Sequence, residues 1–152
     1  MARPRVALLD VNVLVALFFA DHIHHELAHD WLADHRAYGW ATCPLTENGF
    51  LRVACHQPAA DGVVRPTEAI GHLKRFQADA HHHVWTDAVS LTDTSLFAPE
   101  FARGPRQLTD VYLLGLARKM GGRLATFDRA IPLEAVRGAS PDLLAVIEAL
   151  PS

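Results

Sequence analysis

Two cysteines, two lysines, two tyrosines and two methionines are all that 152 residues supply of those four types. Each scarcity closes a class of explanation. Cys43 and Cys55 form no CxxC pair, so neither a thiol redox motif nor a thiolate zinc site is encoded, and a reduced chain with buried thiols is expected. With Lys74 and Lys119 the only lysines, twelve of the fourteen basic residues are arginine, the side chain suited to bidentate phosphate contacts. A net charge of −3 gives no overall basic footprint for nucleic acid, although a groove needs only local charge. No apolar run reaches membrane-span length. The longest, "VALLDVNVLVALFFA", is broken by Asp10, which costs roughly 2.5 to 3.5 kcal/mol on an insertion scale. It leads into a patterned helix without a cleavage site, so it is read as mature sequence and the protein as cytoplasmic, with no membrane partner.

What is abundant is apolar. Half the residues are hydrophobic, and a surface for a second subunit or a partner is expected from that excess. The chain has no internal repeat and no low-complexity linker, so residues 1–152 are read as one domain, long enough to bury about 70% of its unfolded surface.

Strand and helix patterns alternate along it. "RVALLD" reads as a short buried strand and "VNVLVALFF" as the helix after it. "DHIHHELAHDWLADHR" reads as an amphipathic helix with Asp21 at its N-cap and Ile23, Leu27, Ala28, Trp31 and Leu32 on its apolar face. "GWATC" is a second strand, and Pro44 opens the helix "PLTENGFLRVACH". "RPTEAIGHLKRFQAD" is a further helix starting near Arg65, Pro66 or Thr67, and "HHVWT" a third strand. "GPRQLTDVYLLGLARKMGG" carries Pro105 at its start and paired glycines at its end, the asymmetry of helix termini. "RLATF" and "LLAVI" complete the strands, with a turn and short helix in "DRAIPLEAV" between them. Such alternation predicts an α/β domain with a mainly parallel sheet, in which ligands sit beyond the carboxyl ends of the strands.

Asp10 and Asp128 fall at two of those ends, Glu47 in the first turn of the helix after "GWATC", and Asp110 in the early turns of the helix after "GPRQLT". Singly, each has a structural use. Asp10 and Asp128 can cap the helices that follow, and Glu47 and Asp110 complement a helix dipole. Together they would repel by about 1 kcal/mol or more per close pair even in high dielectric. Divalent metal is the usual relief, and hard oxygen donors suit Mg²⁺ or Mn²⁺.

Four stretches, "LLDVNVLVAL", "WATCPLTENGFLRV", "LTDVYLLGLA" and "GRLATFDRAI", resemble in order and spacing the PIN-domain ribonucleases, and more closely the VapC toxins of bacterial toxin–antitoxin pairs. The resemblance runs from Val6 to about Ile147 and is weakest over "QADAHHHVWTDAVSLTDTSLFAPEF". It implies a PIN-like three-layer α/β/α sandwich. It also implies a catalytic and metal-binding set of Asp10, Glu47, Asp110 and Asp128, supported by Asn12 and Thr126. The activity implied is Mg²⁺- or Mn²⁺-dependent cleavage of RNA by an activated water, leaving a 5′-phosphate, with transfer or ribosomal RNA loops as substrates. A VapB-type antitoxin, a homodimer and a toxin–antitoxin hetero-oligomer are implied as partners. Arg106 and Arg129 are candidate phosphate contacts, with a solvated surface role as the alternative for each. Thr126, two residues before Asp128, shares its face if the strand persists.

Other features point elsewhere and carry less. The His25–His29 pair has helical i, i+4 spacing but no zinc-protease Glu, so a solvated polar face is expected; the triplet His81–His83 precedes a strand. Trp31, Trp40 and Trp85 are expected in packing. A haloacid-dehalogenase-like phosphatase also begins with a strand ending in Asp, but its second acid would fall at Asn12 and neither lysine holds a helper position. A PIN-like RNA-binding module without turnover is the non-enzymatic alternative, against which the complete acidic set argues.

Overall fold

The computed structural model describes residues 5–59 and 62–149; the extremities of the expected 1–152 domain and residues 60 and 61 lie outside the described residues. Its centre is a five-stranded, wholly parallel sheet in the order β5–β2–β1–β6–β7. The strands are β1 (Ala7–Leu9), β2 (Trp40–Thr42), β5 (His82–Val84), β6 (Arg123–Thr126) and β7 (Leu144–Val146). β1 and β2 are buried along their whole length, as a central parallel strand covered on both faces requires. Alternation of side chains along β1, β2 and β6 divides the core in two. Ala7, Leu9, Trp40 and Ala125 face one cluster, built with α1 (Val11–Phe18), α2 (His25–His35), α3 (Pro44–His56) and α4 (Pro66–Gln77). Leu8, Ala41, Cys43 and Leu124 face the other, built with α5 (Leu108–Lys119), Phe97, Trp85 and the 3₁₀ turns that precede β7. Helical layers on both faces make the expected three-layer α/β/α sandwich.

The chain leaves β1 toward β2 on one side, while β6 lies on the other. The order therefore reverses between β1 and β6, and a crevice opens there beyond their carboxyl ends.

Several local expectations change. Asp21 caps nothing, because α2 starts at His25, and Ile23 is 88% exposed. Residues 20–24 are used by turns instead: His22 N–H donates to Phe19 O and His25 N–H to His22 O, both at 3.0 Å. His25 and His29 are not free on a solvated face. Their rings meet Ala16 O at 2.8 Å and Leu17 O at 3.0 Å, the carbonyls at the C-terminal end of α1 that lack helical partners. Trp40 and Trp85 are buried, whereas Trp31 is half-buried, stacked on His35 with the Arg123 guanidinium 5.6 Å from its ring centre. Cys43 is buried and Cys55 half-buried. A small antiparallel ribbon, β3 (Pro58–Ala59) with β4 (Gly62–Val63), has no counterpart in the sequence pattern, since two-residue strands carry no periodicity.

α5, which carries Asp110, is set against the rest of the core through Gly115. A Cβ there would come within 2.2 Å of the fully buried Phe97 ring. Gly115→Ala is expected to lower stability by about 2 kcal/mol, overpacking outweighing the better helix propensity of alanine. A melting temperature lower by roughly 4 to 8 °C is the corresponding measurement.

Candidate metal centre

Strand register brings the first two site residues together. Leu9 of β1 pairs with Ala125 of β6, and the ladder continues one step further as Asp10 N–H donates to Ala125 O at 2.9 Å. Thr126 is thereby beside Asp10, and its hydroxyl donates to Asp10 Oδ2 at 2.7 Å. The other oxygen, Oδ1, accepts the N–H of Val11 at 2.7 Å, so Asp10 is also the N-cap of α1. Thr126 Oγ1 in turn accepts from the Asn12 amide at 3.3 Å and from the Asp128 N–H at 3.1 Å. One buried hydroxyl thus orients Asp10, Asn12 and the turn carrying Asp128. Asp128 is held by that turn, since β6 ends at Thr126, and not by strand alternation; its Oδ1 accepts the Ala130 N–H at 2.8 Å.

Asp10, Asn12, Asp110 and Asp128 line one open cleft of about 460 Å³, with Val11, Val15 and Val53 as its apolar wall and His22 and Gln57 completing it. No arginine or lysine is among these residues. Burial, followed by the charges of Asp10 and Asp128, pushes the Asp110 carboxyl up to about 6. Asp10 is also raised. Burial is the larger cause and Asp128 adds to it, while the bonds from Thr126 and Val11 oppose the shift.

Glu47 is not in this cleft. It stands in the first turn of α3, where Oε2 accepts from Thr42 Oγ1 at 2.6 Å and from the Gln77 amide at 2.8 Å. Thr42 is also 2.7 Å from His82 Nε2, so Glu47 belongs to a polar network linking β2, β5 and α4. Arg129 pairs with Glu148 and is exposed, Arg106 is exposed in the turn before α5, and neither lines the cleft. His22 and Gln57 went unnoticed in the sequence. Nothing in the spacing of "FFADHIHH" marks His22 as returning to the end of α1, because tertiary turns bring it there.

Among the described residues no three His, Cys, Asp or Glu side chains converge tightly enough to hold an ion alone. The donor set nevertheless fits a divalent cation that keeps several of its waters, as Mg²⁺ does. Three carboxylates face each other without a basic partner, and Asn12 Oδ1 is buried with no hydrogen-bond donor.

Residues 7–137 match the PIN domain, a match that covers most of the chain. The chain belongs to the PIN-domain family. Within that family it is similar to Ribonuclease VapC44 of Mycobacterium tuberculosis, 42% identical over 93% of this chain and 99% of that protein. It is likewise similar to two others of that organism. Ribonuclease VapC39 is 39% identical over 87% of this chain and 95% of that protein. Ribonuclease VapC38 is 42% identical over 83% and 87% respectively.

The raised Asp110 carboxyl has a consequence for stability. Its folded pKa of about 6 exceeds the ordinary 3.8, so between these values the folded state binds more protons than the unfolded chain. This contribution is complete below pH 4 and is lost as pH rises through 6. Thermal melts in chelator across that window should show wild type losing stability relative to Asp110→Asn as pH rises. A constant difference between the two proteins would remove the raised Asp110 carboxyl.

Proposed function

We propose that this chain is the toxin half of a type II toxin–antitoxin pair, an endoribonuclease dependent on Mg²⁺ or Mn²⁺. The reading rests on the convergence of Asp10, Asp110 and Asp128 at the switch point of the sheet, in a chain 42% identical to a VapC ribonuclease. When bound, the cation supplies neutralisation of phosphate charge and lowers the pKa of water. Asp10, Asp110 and Asp128 are the residues that would hold it, with Asn12 Oδ1 as the free acceptor that orients a water beside them. Thr126 keeps Asp10 in one rotamer by donating to Oδ2, and the Val11 N–H fixes the other oxygen. Glu47 joins the three acids only by leaving Thr42 and Gln77, so its part in catalysis is the weakest of the four.

RNA is the substrate, with loops of transfer or ribosomal RNA as the class whose unstacked nucleotides enter an open cleft. The partner is a VapB-type antitoxin, whose basic side chain would meet the acid cluster and exclude the cation. A homodimer and a hetero-oligomer with the antitoxin are the expected assemblies, in the cytoplasm. Exposed Val63 (72%), Val84 (66%), Tyr38 (50%) and Phe101 (50%) are in keeping with surfaces that associate. The phosphatase alternative loses its footing at Asn12, whose amide is committed to Thr126 where a second acid would stand.

Purified protein should cleave RNA with Mg²⁺ or Mn²⁺ and not in chelator. Asp10→Asn, Asp110→Asn and Asp128→Asn should each lose about two orders of magnitude or more in rate with native circular dichroism, and Glu47→Gln should lose less. Wild-type rates in the three aspartate variants would remove the site.

Metal binding has its own readout. Mg²⁺ at a hundredfold excess over Kd should stabilise by about 2.7 kcal/mol, raising the melting temperature by several degrees, and Asp10→Asn should shrink that rise. The same substitution should leave the metal-free melting temperature nearly unchanged, because relief of charge is offset by the lost Thr126 bond. An undiminished Mg²⁺ rise would make Asp10 a helix cap alone. Light scattering should give about twice 16.7 kDa for the free protein, and a strict monomer would remove the dimer.

A further inference from the structure

The three aspartates account for the acidic character of the cleft, and His22 lines the same cleft. Its backbone N–H donates to Phe19 O at 3.0 Å, and Phe19 N–H to Val15 O at 3.1 Å, which sets His22 beyond the C-terminus of α1. α1 starts beside Asp10 and runs Val11–Phe18, so its rise sets the turn that carries His22 roughly 12 Å along the helix from Asp10.

The two ring nitrogens of His22 have different roles. Nδ1 faces the backbone N–H of His24 at 3.0 Å and can only accept from it. A neutral ring therefore carries its proton on Nε2, which makes that atom a hydrogen-bond donor and not a metal ligand. Burial and the adjacent His24 hold the imidazole below its ordinary range, with Asp21 opposing, so the neutral form is the one present at pH 7. Other donors in the cleft are few. It has no lysine or arginine, and one of the two Asn12 N–H bonds is given to Thr126, so the side-chain donors are the second Asn12 N–H, His22 and Gln57. A polyanionic strand lying in an acidic cleft needs donors away from the cation, and His22 offers one at a fixed place.

We infer that His22 is an RNA-binding residue whose Nε2–H donates to a nonbridging phosphate oxygen of the strand, away from the scissile bond. The inference rests on the ribonuclease reading above. The contact lies outside the reacting atoms and is made equally in ground and transition states, so it acts on KM and not on kcat. No such role can be read from the sequence, where His22 is one of ten histidines.

Two substitutions separate the functions of the ring. His22→Asn keeps an acceptor for the His24 N–H and so keeps the turn, but removes the reaching donor. His22→Gln restores an N–H near the position of Nε2. The substrate is a short single-stranded oligoribonucleotide spanning a cut that the wild-type protein makes in bulk RNA. His22→Asn should raise KM about tenfold with kcat within about twofold, and His22→Gln should recover most of the loss. Mn²⁺ affinity, measured by calorimetry, should be unchanged in both. In an Asp110→Asn background, fluorescence anisotropy with the same oligonucleotide in Ca²⁺ should show the same ordering of affinities. An unchanged KM in His22→Asn, a fall in kcat alone, a loss of Mn²⁺ affinity, or a His22→Gln protein as weak as His22→Asn would each overturn the assignment. A wild-type protein that cuts no RNA would instead end the ribonuclease reading itself.

Discussion

The site depends on one hydrogen bond, from the Thr126 hydroxyl to Asp10 Oδ2, and on the parallel register that makes it possible. A buried carboxylate at the end of a central strand is costly unless its oxygens are satisfied. Here one oxygen is satisfied by a neighbouring strand and the other by the first N–H of α1. The same hydroxyl accepts from Asn12 and from the Asp128 backbone, so the polar end of the β1–β6 crevice is organised around a single side chain with no charge of its own. Asp10 is placed by uncharged donors and not by a basic side chain, which leaves the negative charge of the cleft available.

That availability is the electrostatic character of the region. Asp10 and Asp110 are both raised, in each case by burial more than by neighbouring charge, and no basic side chain among the lining residues offsets them. The arginines that compensate acids elsewhere do not line the cleft: Arg36 pairs with Asp79, Arg5 with Asp142 and Arg129 with Glu148. Glu47 is instead hydrogen-bonded by two uncharged donors in a network that ties α3 to β2 and α4. The four acids that look equivalent along the chain are thus three plus one in space.

The histidines divide in a comparable way. His25 and His29 complete the exposed carbonyls of α1, and His82 tilts against Trp40 while meeting Thr42. These are packing and capping roles in which imidazole satisfies backbone or hydroxyl oxygen. His22 has one nitrogen bound to the backbone and lines the acidic cleft, which sets it apart from the other three.

The sequence by itself determined the alternation of strands and helices, the parallel sheet, the helix start at Pro44, and the positions of Asp10 and Asp128 at strand ends. Those properties follow from short-range rules: apolar runs bounded by breakers, proline at a first helical turn, and a polar residue where a buried strand stops. Tertiary structure decided which acids meet. Asp10 and Asp128 converge because β6 pairs with β1, a contact between residues more than a hundred positions apart. Glu47 is held elsewhere, by Thr42 and by Gln77, thirty residues away on α4. It also decided that Asp21 caps nothing and that His22 reaches the cleft, since long-range packing set where α2 begins and the intervening turns had to follow. Local pattern fixes what an element is; the neighbour across the sheet or on the adjoining helix fixes what its side chains can touch.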